Sequence, residues 1–443
     1  MFDYFLLLAF FFGLVAVLLI ALHDLKWGVI LIPALLPTYL LRASITWIPT
    51  TFLELALYLV LAVALWRLFV FLKHSFLPKR TFLSLFKTFW SQWKWLNFLI
   101  LVLFVAAVMG TLISDSKQLS LGILKSWFFD PILYFYLVIF VLNKLSDWRK
   151  IFYLMILPAV LISGYGLIQY LTGDLASDNR VRAIFESPNY VSLYFGPLMM
   201  ILLGLVLDQL FLKRGKRKVL LLLGLLASFG LLLLVLILTQ SYAAWLAITL
   251  GSLFVIGLIP CRRWLYYLLL LGGALLGFAT QLNNPKLPAI LSMKTPSSMH
   301  KRVEIWRVSL RMIREHWFEG IGLGKFQDLY SHYVQLLFKR PLELSVLHTH
   351  NLFLMFWVNL GIFGFLAFLG ILVWFFATLI KLAKDHCFLA KIRLEYFVFL
   401  GMMVTILVHG FLDTPYWKND LAFLFWIAIA GIAWLRNWQI ARH

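Results

Sequence analysis

Five of the chain's ten histidines, His300, His316, His332, His348 and His350, lie in or immediately after one hydrophilic stretch, Asn283 to Thr349. Arg302, Arg307, Arg311 and Arg314 share it. An imidazole titrates near neutrality and can take a proton from a hydroxyl nucleophile, worth typically about 10²–10⁴-fold in rate. Guanidinium forks hold phosphate oxygens through charge-assisted bonds of about 1.5–3 kcal/mol each. A histidine base among arginines therefore suits group transfer with a phosphate-bearing leaving group. His348-Thr349-His350 also has the spacing of a metal-ligand pair. No carboxylate or cysteine cluster accompanies it and the neighbouring cations oppose a metal, so neither metal nor cofactor is expected.

The elements that must position these residues are apolar. The chain is 63% hydrophobic and 13% charged, with a mean hydropathy of +0.92. These values predict an all-α polytopic membrane protein. Its apolar segments give about 12–13 transmembrane helices in a single membrane domain over 1–443, with an extracytoplasmic loop, 283–349, inserted between two of them. The second segment, Gly28 to Leu41, is short and carries Pro33 and Pro37. Later spans are expected at Ser126–Leu142, Trp264–Leu282 and Gly361–Ile380. The first has no basic n-region and reads as a retained helix.

The net charge of +20 is spread in short Lys/Arg clusters between apolar runs, which argues against nucleic acid. Alternate loops carry those clusters, Lys213 to Lys218 among them, and the positive-inside rule makes that set cytoplasmic. The long loop then faces the other side. Cys261 and Cys387 fall on predicted cytoplasmic ends, where thiols stay reduced. Pro78 to Trp95 has the pattern of an interfacial amphipathic helix.

Glu54, Asp130, His409 and Asp413 all fall at predicted outer helix ends. A shared polar cavity opening outward accounts for them, whereas an ion-coupled transporter calls for ionisable groups near the midplane. Within the loop, a helix is expected from Ser297-Ser298 to about His316, with Val303, Trp306, Leu310 and Ile313 on its apolar side. Gly320-Ile321-Gly322-Leu323-Gly324 breaks it, and a second amphipathic helix spans about Phe326 to Phe338. The glycine spacing is not that of a dinucleotide site, and no strand precedes it. Outside the cytoplasm there is no nucleotide supply, so a transferase there needs a pre-activated donor such as a lipid-diphosphate sugar.

His350-Asn351, nine residues, then Gly361-Ile362-Phe363-Gly364 resembles the histidine signature of the O-antigen ligase and polymerase superfamily, which includes bacterial protein O-oligosaccharyltransferases. Arg302 with Trp306, the glycine turn, and Arg182 through Pro188-Asn189-Tyr190 resemble its other motifs. The resemblance covers about Arg180 to Gly364. It implies a metal-independent glycosyltransferase of the cell (inner) membrane, moving a glycan from an undecaprenyl-diphosphate carrier to an acceptor hydroxyl outside. The acceptor is a glycan, a glycolipid such as lipopolysaccharide core, or a protein. By position, His350 would be the general base and Arg302 would hold the diphosphate. Arg180, Arg182, Arg307, Asn189 and Asn351 would line the substrate, and Gly361 and Gly364 would allow a sharp turn. One departure stands out: many members carry an Arg where this chain has Tyr242, and Arg180, Arg182 or Arg307 would have to supply that charge.

Overall fold

In hydrocarbon, backbone polar groups are satisfied only within helices or closed barrels, and the computed structural model of this chain is built almost wholly of helices. It describes residues 2–45, 48–74, 93–211, 216–257 and 298–440, with 264, 267–268, 271–273, 275 and 279. The chain opens with α1 (Phe2–His23) and α2 (Leu25–Leu31), which tightens into a 3₁₀ stretch (Ile32–Leu40) carrying Pro33 and Pro37. An antiparallel strand pair, β1 (Arg42–Ile45) and β2 (Ile48–Thr51), leads into α3 (Phe52–His74). Then come α4 (Lys94–Ile113), α5 (Lys117–Val141), α6 (Leu145–Thr172), α7 (Pro188–Phe211), α8 (Lys216–Leu238) and α9 (Tyr242–Gly257). The last part holds α10 (Ser298–Glu315), α11 (Phe326–Leu337), α12 (Leu352–Lys384), α13 (His386–Lys391), α14 (Arg393–Gly410) and α15 (Asn419–Ile440).

Among the described residues nine helices, α3 to α8, α12, α14 and α15, are long and apolar enough to cross a membrane. The chain is an all-α polytopic membrane protein. The segments expected at 78–92 and 264–282 lie mostly outside the described residues, as does Cys261.

Two span boundaries differ from expectation. α5 starts at Lys117 rather than Ser126 and passes through a π-helical turn, Leu124–Phe129. Its first turns carry Gln118 and Lys125, which face a cavity, so hydropathy alone misses them. α12 starts at Leu352 and is broken, not begun, at Gly361, where φ is +64°.

That break ties the loop to the bundle. At Gly361 a Cβ would collide with the Phe318 carbonyl. The interrupted helix leaves Val358 O free to accept from Ile321 N at 2.7 Å, while Ile362 N donates to Phe318 O at 3.2 Å. Gly320 sits so close that a Cβ would lie 2.8 Å from Val358 O, and Leu323 N donates to Gly110 O of α4 at 3.0 Å. The glycine turn and the broken helix therefore make one backbone-to-backbone joint that side chains would prevent. Gly364 is helical and leaves room for the Leu360 side chain.

α10 and α11 pack on each other and α10 on α12, around a small apolar cluster of Ile305, Val308, Met312, Phe326, Tyr330 and Val358. The expected apolar face of α10 was wrongly phased: Val303 and Leu310 are exposed, and of that set only Ile313 is buried. The helix carries two apolar stripes, and docking against α11 and Val358 decides between them. Buried Glu304 accepts from Leu342 N at 3.0 and 3.2 Å, which draws the chain leading to His350 back onto α10.

Candidate active site

The short connection between α14 and α15 gathers the chemistry. Phe411 O accepts from Asn351 Nδ2 at 3.1 Å, and Leu412 O accepts from Arg302 Nε at 2.8 Å. Asp413 Oδ1 lies 3.1 Å from His350 Nδ1 and also accepts from Thr414 N at 2.9 Å. Three consecutive residues thus hold the histidine, its neighbour and the arginine of α10. His350 has a left-handed backbone, φ +46°, a conformation costly for a non-glycine residue that persists only where surroundings enforce it. Asn351 supplies that enforcement. Its Oδ1 caps α12 by accepting from Leu354 N at 3.0 Å, while its Nδ2 is held by Phe411.

Asp413 is buried. Burial raises its pKa, but the charge and hydrogen bond of His350 outweigh it, aided by His409 and Arg302, and hold the carboxyl well below its usual range. A fixed anion on Nδ1 selects the tautomer that carries hydrogen there and leaves Nε2 as the basic nitrogen. Arg302 makes no other hydrogen bond among the described residues, so the rest of its fork is unspent.

A second cluster forms around Arg180. Its side chain is only 14% exposed. It donates to Asp178 at 2.6 Å, to Asn189 Oδ1 at 3.1 Å and to Thr239 O at 3.3 Å. Thr239 begins the turn that ends in Tyr242, so Arg180, its charge paired with Asp178, reaches this turn. Arg182 instead pairs with Asp174 at 3.3 Å.

A cavity of about 540 Å³ is lined by sequence neighbours of both clusters, though not by His350, Asp413, Arg302 or Arg180 themselves. Tyr190, which follows Asn189, and His348, two residues before His350, both line it, as do Arg42, Glu54, Lys125 and Lys418. Burial depresses His348 to a pKa of about 4, with the charge of His350 adding to the effect. Glu54 is fully paired, with Lys125 Nζ at 2.8 Å and Ser126 Oγ at 2.6 Å.

Several expected residues are thus brought together: His350 with Arg302, and Arg180 with Asn189. Others are placed differently. Arg307 is exposed; five residues beyond Arg302, it stands about 140° around the helix from it, away from the docked face. Asn351 bonds backbone with both its Oδ1 and its Nδ2 and so shapes the turn, while Asp413 lies against the imidazole. Asp130 is buried, bonded to Tyr58 OH at 2.7 Å, and does not line the cavity, unlike Glu54. Lys418, Arg42 and Lys125 were missed. Their signal was present as isolated basic residues on the side of the chain otherwise poor in Lys and Arg. Among the described residues, no group of three or more His, Cys, Asp or Glu could hold a metal ion.

Residues 226–369 match the family model described as O-Antigen ligase. The match runs from α8 into α12 and takes in Arg302, the glycine turn, His350, Gly361 and Gly364. It supports a place for the chain in the O-antigen ligase superfamily, whose activity is of the glycosyltransferase type. No curated protein matches the chain.

Proposed function

We propose that this member of the O-antigen ligase superfamily moves a glycan from a polyprenyl-diphosphate carrier to an acceptor hydroxyl, with His350 as general base. The observation that carries the reading is the convergence of His350, Asn351 and Arg302 on Phe411, Leu412 and Asp413.

In this mechanism the acceptor oxygen attacks the anomeric carbon while its proton passes to His350 Nε2. The bond from that carbon to the diphosphate oxygen breaks, and the electron pair leaves with the phosphate. Direct displacement inverts the anomeric configuration. Asp413, held anionic, stabilises the imidazolium as it forms. The unspent donors of Arg302 meet the charge developing on the leaving diphosphate, and Arg180 supplies a second cation beside the donor. Arg182 lies near the same loop. The transfer is metal-independent, and no step involves nucleic acid.

In this reading the site lies at the extracytoplasmic face of the inner membrane, because the positive-inside rule assigns the Lys/Arg clusters to the other side. The acceptor is a glycan, glycolipid or protein hydroxyl.

The test is transfer by the detergent-solubilised full chain supplied with polyprenyl-diphosphate glycan and candidate acceptors. A ligase gives glycan on a non-carrier acceptor, and a polymerase gives longer glycan on the carrier. Consumption of donor only in sealed vesicles under a gradient would instead indicate transport.

A further inference from the structure

The cavity lined by His348 contains a cation that no described residue neutralises by contact. The ammonium of Lys418 lies over the Tyr190 ring at 3.5 Å from its centroid, with the Phe185 and Tyr39 rings at 4.9 and 5.2 Å. It makes no hydrogen bond or ion pair among the described residues. Asp420 and Glu186 act on it only through space.

The other two cations of the cavity are accounted for. Lys125 is held by Glu54 and by Pro49 O at 2.8 Å. Arg42 faces Glu186 at 3.7 Å, with both side chains more than 70% exposed. His348 adds a buried Nδ1 without a hydrogen-bond partner. A largely buried charge and a buried ring nitrogen are both costly when unpaired. Here both line one space whose volume falls in the ordinary range of ligand sites, about 300–1,000 Å³. Trp127, Tyr190 and Trp417 also line it.

A wall of aromatic side chains interspersed with polar groups suits a sugar ring, and an ammonium with no anionic contact among the described residues asks for an anion. We propose that this cavity binds an acidic sugar unit, and that Lys418 is the residue that selects its carboxylate or phosphate. The sugar class rests on the glycosyl-transfer reading above. The anion could come from the glycan itself or from the carrier diphosphate, and binding separates the two without any turnover.

The experiment is equilibrium binding to the detergent-solubilised full chain, read by tryptophan fluorescence because Trp127 and Trp417 line the site. The probes are cellobiuronic acid, its neutral counterpart cellobiose, and geranylgeranyl diphosphate. Wild type should prefer the acid over the neutral disaccharide by at least about tenfold, the effect of one charge-assisted hydrogen bond. Rising salt should shrink that preference, a comparison that needs no variant. Lys418→Met should abolish it, Lys418→Arg should keep most of it, and geranylgeranyl diphosphate should bind both variants within about threefold of wild type. Equal binding of acid and neutral sugar, or no binding of either, would overturn the proposal. So would a Lys418→Met loss confined to geranylgeranyl diphosphate, which would assign the ammonium to the carrier. Failure of glycosyl transfer in a separate assay would leave this binding result standing.

Discussion

Replacing Asp413 with Asn removes one charge at His350 while nearly preserving shape. In the wild-type protein Asp413 Oδ1 accepts both from Thr414 N at 2.9 Å and from His350 Nδ1 at 3.1 Å. The Thr414 donor keeps an oxygen at that position in the variant, so the imidazole retains an acceptor but loses the anion. A charge-assisted bond contributes about 1.5–3 kcal/mol and a neutral one about 0.5–1.5, so the transition state loses roughly 1–2 kcal/mol. That corresponds to about 5–30-fold in kcat. If the amide turns and offers nitrogen to Nδ1, the basic nitrogen is lost, and the penalty rises toward the whole contribution of a general base, about 10²–10⁴-fold. The assay is the initial rate of release of lipid diphosphate from a polyprenyl-diphosphate glycan in detergent. KM for the donor should move little, because Asp413 contacts the base and not the donor. In a double-mutant cycle, Asp413→Asn should add almost nothing to His350→Ala. An Asp413→Asn protein with unchanged melting temperature and kcat within about twofold of wild type would refute the reasoning.

Four further outcomes follow from the geometry. Arg302→Gln should lower kcat/KM by at least about tenfold, while Arg307→Gln, on the exposed face, should stay within about threefold in the same assay. Arg180→Gln should raise the donor KM by about tenfold, since it removes the cation held between Asn189 and Thr239; an unchanged KM would remove Arg180 from the donor site. Gly361→Ala should destabilise the folded protein by at least about 1–3 kcal/mol, seen as a lowered melting temperature in detergent, because φ +64° with ψ −168° is a conformation essentially only glycine adopts and the Phe318 carbonyl blocks relaxation; a wild-type melting curve would contradict the joint. His348, depressed to about 4, is neutral when folded at mild acidity and gains protons more readily when unfolded, so its contribution is present above about pH 6.5 and lost as pH falls toward 4. His348→Gln should therefore lose melting temperature less steeply than wild type over that interval.

His350, Arg302 and the glycine turn were legible as candidates because each depends on local residue type: an imidazole, a guanidinium, and backbone conformations that only glycine adopts freely. Both loop helices were legible as well, since α10 and α11 have clear helical periodicity. The face of α10 was not legible, because Val303/Leu310 and Ile305/Val308/Met312 are both plausible stripes and only tertiary packing chooses. Asp413 was visible as an outer-end acid, yet its pairing with His350 spans 63 residues and has no local signature. Lys418 reads as one more charge after an aromatic pair; only the fold brings Tyr39, Phe185 and Tyr190 around it. The backbone bonds of Asn351 were not legible either, because a capping amide and a substrate-binding amide look identical in sequence.

The most direct test of the account compares wild type with His350→Ala, using purified polyprenyl-diphosphate glycan, an acceptor and EDTA. The account predicts release of lipid diphosphate by wild type, undiminished by EDTA, and a loss of at least about a hundredfold in the variant. Equal rates in the two proteins would contradict it and take His350 out of the mechanism.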